Sequence, residues 1–395
     1  MDKPQKRILL INTFLKVGGI QSSLINMANE LCKDFTVDML LYYPEGALKN
    51  RLDSRVNIIK PSWALKALGM SVGEALLSGN PFILLFKVLG SVWAKVFDNR
   101  LPVWIASKIQ RKLKGYDLAV SFRHEANKKS VSSGFIRILD RCVEADKKIA
   151  WIHYDASKVN NDNDFNREYY KKVDKIVGVS KSVASSFKSL NPCLADKIDY
   201  CNNFLDYIKL SENSQAEQAV KYPEDKFICF SACRLSEEKG LLRGVSALTP
   251  AFRIHKDIMW YIAGDGPERE NIEKAIKAEG MEDRIILLGN QSNPYPYMKN
   301  SDLLLSLSFH EAAPMVYMEA KALHVPVFST ETLSSFEMLN DGIEDFICEN
   351  SEEGIKEGFS ELMNNREKVL SAKKSLESYK GSNDISVAKI AELIS

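Results

Sequence analysis

The chain has 395 residues, enough for two domains of ordinary size, and its 45% hydrophobic and 27% charged content is that of a globular protein rather than a disordered or fibrous one. Its seven cysteines are scattered without a CxxC pair, which argues against a disulfide framework or a structural zinc site and for reduced thiols in the cytoplasm. Net charge is only +1 yet divided along the chain: residues 1–204 carry 32 Lys/Arg against 20 Asp/Glu, and the remainder carries 21 against 32. A basic half joined to an acidic half suggests that one of them meets an anionic partner, or that the two attract each other.

In chain order, "RILLINTF" (7–14) reads as a buried first strand rather than as part of a signal peptide, and "IQSSLINMANEL" (20–31) as the helix after it. Further strands are expected at "TVDMLLYY", "DLAVSF" (117–122), "KIAWIH" (148–153) and "KIVGVS" (175–180). Residues 81–115 hold seven Lys/Arg and one acid around a strongly apolar run. On a helix, Lys87, Ser91 and Lys95 would form a narrow polar stripe, with Phe82, Leu85, Phe86, Leu89, Trp93 and Phe97 covering the rest. That pattern suits a helix lying on an anionic membrane, or one packed on a sheet. No stretch reaches the length of a membrane-spanning helix. "LSENSQAEQAVKYPED" (210–225) reads as a linker. The rhythm restarts with "FICFSAC" (227–233), "MWYIAG" (259–264), "RIILLG" (284–289), "DLLLSLS" (302–308) and "VPVFST" (325–330). Continuous apolar strands separated by helices predict parallel sheets covered on both faces, hence two doubly wound α/β domains facing a central cleft.

Ligands of such domains gather where strands end and helices begin. Gly18 and Gly19 lie at one such turn, between the first strand and its helix, where a backbone can approach an anion closely. Gly264 and Gly266, followed by Pro267, read mainly as a structural turn. Arg234 and Lys239, in "CRLSEEKGL" (233–241), could neutralise a diphosphate, the first as a fork and the second as a point charge. In "SFHEAAPMVYMEAKAL" (308–323), Pro314 is placed to start a helix. Glu311 then falls in the loop before it and Glu319 in its second turn, about 12 Å apart if both were helical. Free N–H groups near Met315 and Val316 would point out between the two acids, which can accept paired hydrogen bonds from vicinal hydroxyls. The two carboxylates are expected to grip the two ends of a nucleotide sugar rather than to form an acid–base pair.

The stretches "RLSEEKG", "YIAGDGPERENIE", "LGNQSNPYPYMKNSDLLLSLS" and "HEAAPMVYMEAKALHVPVFST", together with "GGIQSSLINMANEL" and "KKIAWIHYD", follow one another as in the retaining GT-B glycosyltransferases of family four (glycosyltransferase group 1, bacterial polysaccharide type), which the chain resembles over nearly its whole length. The resemblance implies two Rossmann-like domains: residues 1–204 for the acceptor and 226–375 for the nucleotide sugar, joined by 205–225, with a helix in 376–395 crossing back. It implies that Arg234 and Lys239 bind the donor diphosphate, that Glu319 holds the ribose, and that Glu311 with the backbone of Ala313, Pro314, Met315 and Val316 meets the sugar. Asn290 and Gln291 would also bind the donor, Gly18 and Gly19 would close over the phosphates, and His153 would sit by the reacting sugar. Ala312 stands where these proteins commonly have glycine.

The expected activity is transfer of a hexosyl group from a UDP- or GDP-sugar to a hydroxyl of a lipid-linked or cell-surface glycan, with retention at the anomeric carbon, on the cytoplasmic side of the plasma membrane. No cofactor, metal or nucleic acid is expected. Asp162 and Asp164 have the spacing of a metal-binding DxD, but they lie in a polar loop of the kind turns prefer. The rival readings are a sugar-nucleotide epimerase on the same architecture and a non-catalytic sugar-binding partner subunit. The lack of a GxGxxG with a following acid argues against a dehydrogenase.

Overall fold

The computed structural model describes residues 5–158, 163–339 and 346–395. The chain divides into two compact units, residues 1–204 with 383–395, and residues 205–382. Each is built on one parallel sheet. The first sheet contains β1 (Arg7–Asn12), β2 (Thr36–Leu41), β3 (Asn57–Ile59), β4 (Leu113–Ser121), β5 (Val143–Ile152), β6 (Lys175–Gly178) and β7 (Ile198–Tyr200), in the order β3-β2-β1-β4-β5-β6-β7. The second contains β8 (Phe227–Ala232), β9 (Ile258–Ala263), β10 (Ile285–Gly289), β11 (Leu303–Ser306), β12 (Val327–Thr330) and β13 (Phe346–Cys348), in the order β10-β9-β8-β11-β12-β13.

Both orders reverse beside the first strand of the unit, between β1 and β4 and between β8 and β11, as in doubly wound folds. The apolar runs are continuous because both faces are covered: every residue of β9 is buried, and so are five of the six in β1. Three strands escaped the sequence reading, β3, β7 and β13. Each has only three residues and takes its place from a neighbour, as in the pairing of Asn57 with Asp38. All seven cysteines are free.

The stretch read as a linker is built into the second unit. The helix Tyr207–Asn213 buries Leu210, and Tyr222 packs its ring 4.5 Å from that of Tyr261. The last helix, Asp384–Ile394, belongs to the first unit, where Lys389 pairs with Asp199 at 2.7 Å and Ile390, Leu393 and Ile394 are buried.

The helix Pro81–Val96 corrects the expected polar stripe. Asn80 caps it by accepting from the N–H groups of Phe82 and Ile83, and Pro81 occupies its first position. Its inward face is Ile83, Lys87, Gly90 and Ala94, so Lys87 points into the protein rather than into solvent. The lysine is 4% exposed, and its Nζ donates to the Leu68 carbonyl at 3.3 Å. At Gly90 an added Cβ would sit 3.3 Å from the Pro102 Cβ, so the helix packs closely on Pro102 there.

Burial pushes the Lys87 ammonium down to about 8, opposed by the charge of Glu74. Because the folded value lies below the unfolded one, the penalty is complete at neutral pH and fades as pH rises from about 8 through the ordinary lysine range. Lys87→Met should therefore stabilise the protein at pH 7 by on the order of 1–3 kcal/mol. The gain should shrink toward pH 10, and thermal melts of both proteins across that range check it. An unchanged or lowered melting temperature at pH 7 would contradict the assignment.

No helix among the described residues is long and apolar enough to cross a membrane.

Candidate functional site

In the second unit the crevice of interest lies at the carboxyl ends of β8 and β11, where the strand order reverses. β8 runs into a loop carrying Arg234, a short turn Glu237–Lys239, and Gly240 at the start of the helix Leu241–Ile254. Gly240 has φ 64°, and a Cβ on it would lie 2.1 Å from the Leu307 carbonyl oxygen, so only glycine fits. Gly264, at φ 146°, approaches the Cys233 carbonyl just as closely on the other side, which makes it the structural turn expected. The loop is thus held between the ends of β9 and β11: Leu235 N–H donates to the Asp265 carbonyl at 3.0 Å, and Phe309 N–H donates to the Glu238 carbonyl at 2.9 Å.

β11 leads through residues 307–313 to Pro314, which caps the helix Met315–Ala322. Glu311 lies in that loop and Glu319 in the second helical turn, as the sequence indicates. The topology brings Lys239 onto Glu311. Its Nζ donates to Glu311 Oε1 at 2.6 Å, and Ser308 Oγ donates to the same oxygen at 2.7 Å. Burial opposes the charge on Lys239, but Glu311 outweighs it and holds the ammonium above its ordinary range. The other carboxylate oxygen of Glu311 meets no donor among the described residues.

The Arg234 side chain is exposed and joins no ion pair or hydrogen bond among the described residues, while its carbonyl accepts from the Ser236 N–H at 2.9 Å. The N–H groups of Met315 and Val316, at the helix start, likewise find no acceptor among them. Glu319 accepts from the Tyr295 hydroxyl at 3.1 Å. At the end of β10, Asn290 is exposed, while Gln291 turns back to donate to the Leu288 carbonyl at 2.7 Å.

The residues that fix the Glu311 loop escaped the sequence reading. Arg243 lays its guanidinium 3.7 Å from the centre of the Phe309 ring and donates to the Leu307 carbonyl at 2.8 Å and to Asn350 Oδ1 at 2.6 Å. Asn350 donates in turn to the carbonyls of Phe309 at 2.9 Å and Glu331 at 2.7 Å, and Thr330 Oγ1 donates to the Ser308 carbonyl at 2.6 Å. Only Ser308, three residues before Glu311, carried a local signal.

In the first unit, Gly18 precedes the helix Gly19–Leu31 in an extended conformation, φ 166°. A side chain at Gly18 would meet only the movable Gln21, and one at Gly19 would meet nothing within 4 Å. Neither glycine is demanded by its own backbone or packing. His153 follows β5. Its Nε2–H donates to the Phe122 carbonyl at 2.7 Å, and burial, assisted by the charge of Arg123, takes it down to about 3. The ring is neutral at physiological pH, with a lone pair on Nδ1. His124, unnoticed in the sequence, is a second neutral histidine, held low by burial and packed 4.4 Å from the Tyr154 ring.

Asp164 lies at the start of the helix Asn163–Tyr170, 93% exposed and paired with Arg167 at 2.8 Å. Asp162 lies outside the described residues.

Residues 212–378 match the family model of glycosyl transferases group 1. An uncharacterized glycosyltransferase of Methanocaldococcus jannaschii is 26% identical over 64% of this chain and 62% of its own length. The O-antigen biosynthesis glycosyltransferase WclY of Escherichia coli is 25% identical over 40% of this chain and 43% of its own. The chain therefore spans less than two thirds of these relatives. Among solved structures, Anabaena Alr3699/HepE in complex with UDP superposes with a TM-score of 0.67 over 98% of both chains at 19% identity. A glycosyltransferase from Rickettsia africae superposes with 0.68 over 99% of this chain and 98% of its own at 17%. The structural likeness shows the fold, two Rossmann-like domains of the GT-B type, and the sequence matches support a glycosyltransferase family.

Proposed function

We propose that the protein is a retaining glycosyltransferase that moves a hexosyl group from a UDP- or GDP-sugar to a hydroxyl acceptor, without a metal. The observation that carries this reading is the convergence of Arg234, Lys239, Glu311 and the free N–H groups of Met315 and Val316 on one edge of the second sheet. Two cations and a helix start supply the charge complement of a diphosphate. Two carboxylates on either side supply acceptors for hydroxyl groups. Solved structures of the Anabaena protein hold UDP, UDP with glucose, and UDP-glucose, which supports a nucleotide sugar as donor and UDP as its nucleotide.

In this reading the bond from the anomeric carbon to the diphosphate oxygen breaks and the diphosphate leaves with the electron pair. Arg234, Lys239 and the helix start stabilise that growing charge. The acceptor hydroxyl attacks from the same face, forms the new glycosidic bond, and gives its proton to the departing phosphate oxygen. Glu311 orients the sugar through its unengaged oxygen. Glu319 accepts from the ribose hydroxyls. The acceptor is a glycan or lipid-linked glycan on the cytoplasmic side of a membrane, in keeping with relatives named for O-antigen, lipopolysaccharide core and glucosyldiacylglycerol synthesis.

Incubation with a panel of UDP-, GDP- and ADP-sugars tests the reading through slow donor hydrolysis. Release of one nucleoside diphosphate with an α-configured sugar from an α-donor, followed by NMR, is the expected result. No release from any donor would favour a silent sugar-binding subunit. Metal independence has its own test: EDTA should leave turnover nearly intact. Loss on chelation, restored by Mg²⁺ or Mn²⁺, would shift the weight to Asp162 and Asp164.

A further inference from the structure

The crossover from β3 to β4 is made of helices: Trp63–Gly69, Val72–Leu77, Pro81–Val96 and Arg100–Ile109. A helix on the surface of a water-soluble domain normally turns its polar side outward. The helix Pro81–Val96 departs from this: Lys87 lies on its inward face, and large apolar side chains lie on the outward one. Its outward side carries Phe82 (70% exposed), Leu85 (58%), Leu89 (58%), Trp93 (41%) and Val96 (62%), with Phe97 (58%) just beyond. The neighbouring helix adds Leu76 and Leu77, at 64% and 87%. An apolar face of this breadth marks a site of interaction.

The charges decide the partner. On the helix Arg100–Ile109 the outward face repeats at one-turn spacing, Arg100, Trp104 and Lys108, with the Lys108 ammonium 5.8 Å from the Trp104 ring. Lys95, on the helix Pro81–Val96, and Arg111 and Lys112, just past the helix Arg100–Ile109, are exposed, and none of these three nor Lys108 joins an ion pair among the described residues. The two acids of residues 60–115 are already matched, Glu74 with Lys16 and Asp98 with Arg100. The core of a protein interface disfavours lysine. A bilayer accommodates the mixture: apolar and tryptophan side chains enter the headgroup boundary while Lys and Arg reach the phosphates.

We infer that the helices Val72–Leu77, Pro81–Val96 and Arg100–Ile109 form a docking surface for an anionic lipid bilayer. The surface adjoins the ligand edge of the first sheet at two points. Lys16, two residues before Gly18 in the segment after β1, pairs with Glu74 of the helix Val72–Leu77 at 2.6 Å. Lys129, in the segment after β4, donates to the carbonyls of Val96 at 3.1 Å and Phe97 at 2.7 Å, closing the end of the helix Pro81–Val96. Both segments leave the carboxyl ends of their strands. A lipid-linked acceptor would therefore be presented from the bilayer beside Gly18, a consequence that rests on the transferase reading, whereas lipid binding itself does not.

Flotation of the full chain with vesicles tests the docking surface, using phosphatidylcholine alone and phosphatidylcholine mixed with phosphatidylglycerol. The protein should float with the mixed vesicles only, and less at high salt. Each basic residue at an anionic surface is worth about fivefold in partition, so replacing Lys95, Lys108, Arg111 and Lys112 by Gln should lower binding at least tenfold. Leu85→Ser with Leu89→Ser should do the same without lowering the melting temperature, because both side chains are more than half exposed. Failure to float with either vesicle, or equal flotation of parent and both variants, would overturn the proposal. So would a dimer in light scattering that the serine variant converts to monomer, which would assign the face to a second copy of the chain. Donor hydrolysis measured on the same preparations separates the two readings: lost flotation with intact hydrolysis removes the membrane alone, and intact flotation without hydrolysis removes the transferase.

Discussion

Arg234→Ala and Lys239→Ala should each lower kcat by on the order of 10²-fold or more, while differing in their effect on stability. In the proposed reaction charge grows on the diphosphate as its bond to the sugar breaks, so both cations would act more strongly in the transition state than on the bound donor. Arg234 is exposed and unpaired among the described residues, and its removal should leave the melting temperature unchanged. Lys239 is held by Glu311 at 2.6 Å, and its removal leaves that carboxylate, 13% exposed, with the Ser308 hydroxyl as its donor. A loss of about 1–3 kcal/mol in stability should accompany the loss of turnover. Adding Glu311→Gln to Lys239→Ala should restore part of the stability and none of the rate. Steady-state kinetics and thermal melts on the three variants check these expectations. Near-normal kcat in both single variants would reduce the loop to a solvated surface.

The long central strands were legible because burial on both faces leaves a continuous apolar run, as in "FICFSAC" and "MWYIAG". The edges were not. β3, β7 and β13 have three residues each, and pairing with a neighbour rather than any local pattern defines them. The helix Pro81–Val96 was legible as amphipathic but not in its orientation. Period alone cannot say which side faces the protein, and a lysine that finds a carbonyl can occupy the inner one. At the site, Glu311 and Glu319 could be placed relative to the helix start because Pro314 fixes it. That Lys239 and Glu311 would form one pair, 72 residues apart, follows from the strand order and from nothing near either residue. The same holds for Arg243 and Asn350, which reach the Glu311 loop across 64 and 41 residues respectively.

The two acids of "SFHEAAPMVYMEAKAL" should separate cleanly in a titration of free nucleoside diphosphate. Glu319 shares one oxygen with the Tyr295 hydroxyl, in the helix that follows β10, on the side of the switch point away from β12. Its expected partners are ribose hydroxyls, present whether or not a sugar is attached. Hydrogen bonds to a charged group contribute about 1.5–3 kcal/mol each, so Glu319→Gln should weaken UDP binding roughly tenfold or more. Glu311 is engaged differently. One oxygen steadies Lys239 and Ser308, a role glutamine can retain in part through its carbonyl, and the other is proposed to meet the sugar, which free UDP lacks. Glu311→Gln should therefore leave UDP affinity within a few-fold of the parent while reducing sugar transfer. Calorimetric titration of UDP into both variants, with donor turnover measured alongside, makes the comparison. Equal losses of UDP affinity would sink the division of labour. A normal Glu311→Gln turnover would remove the sugar from Glu311 and leave it a support for Lys239.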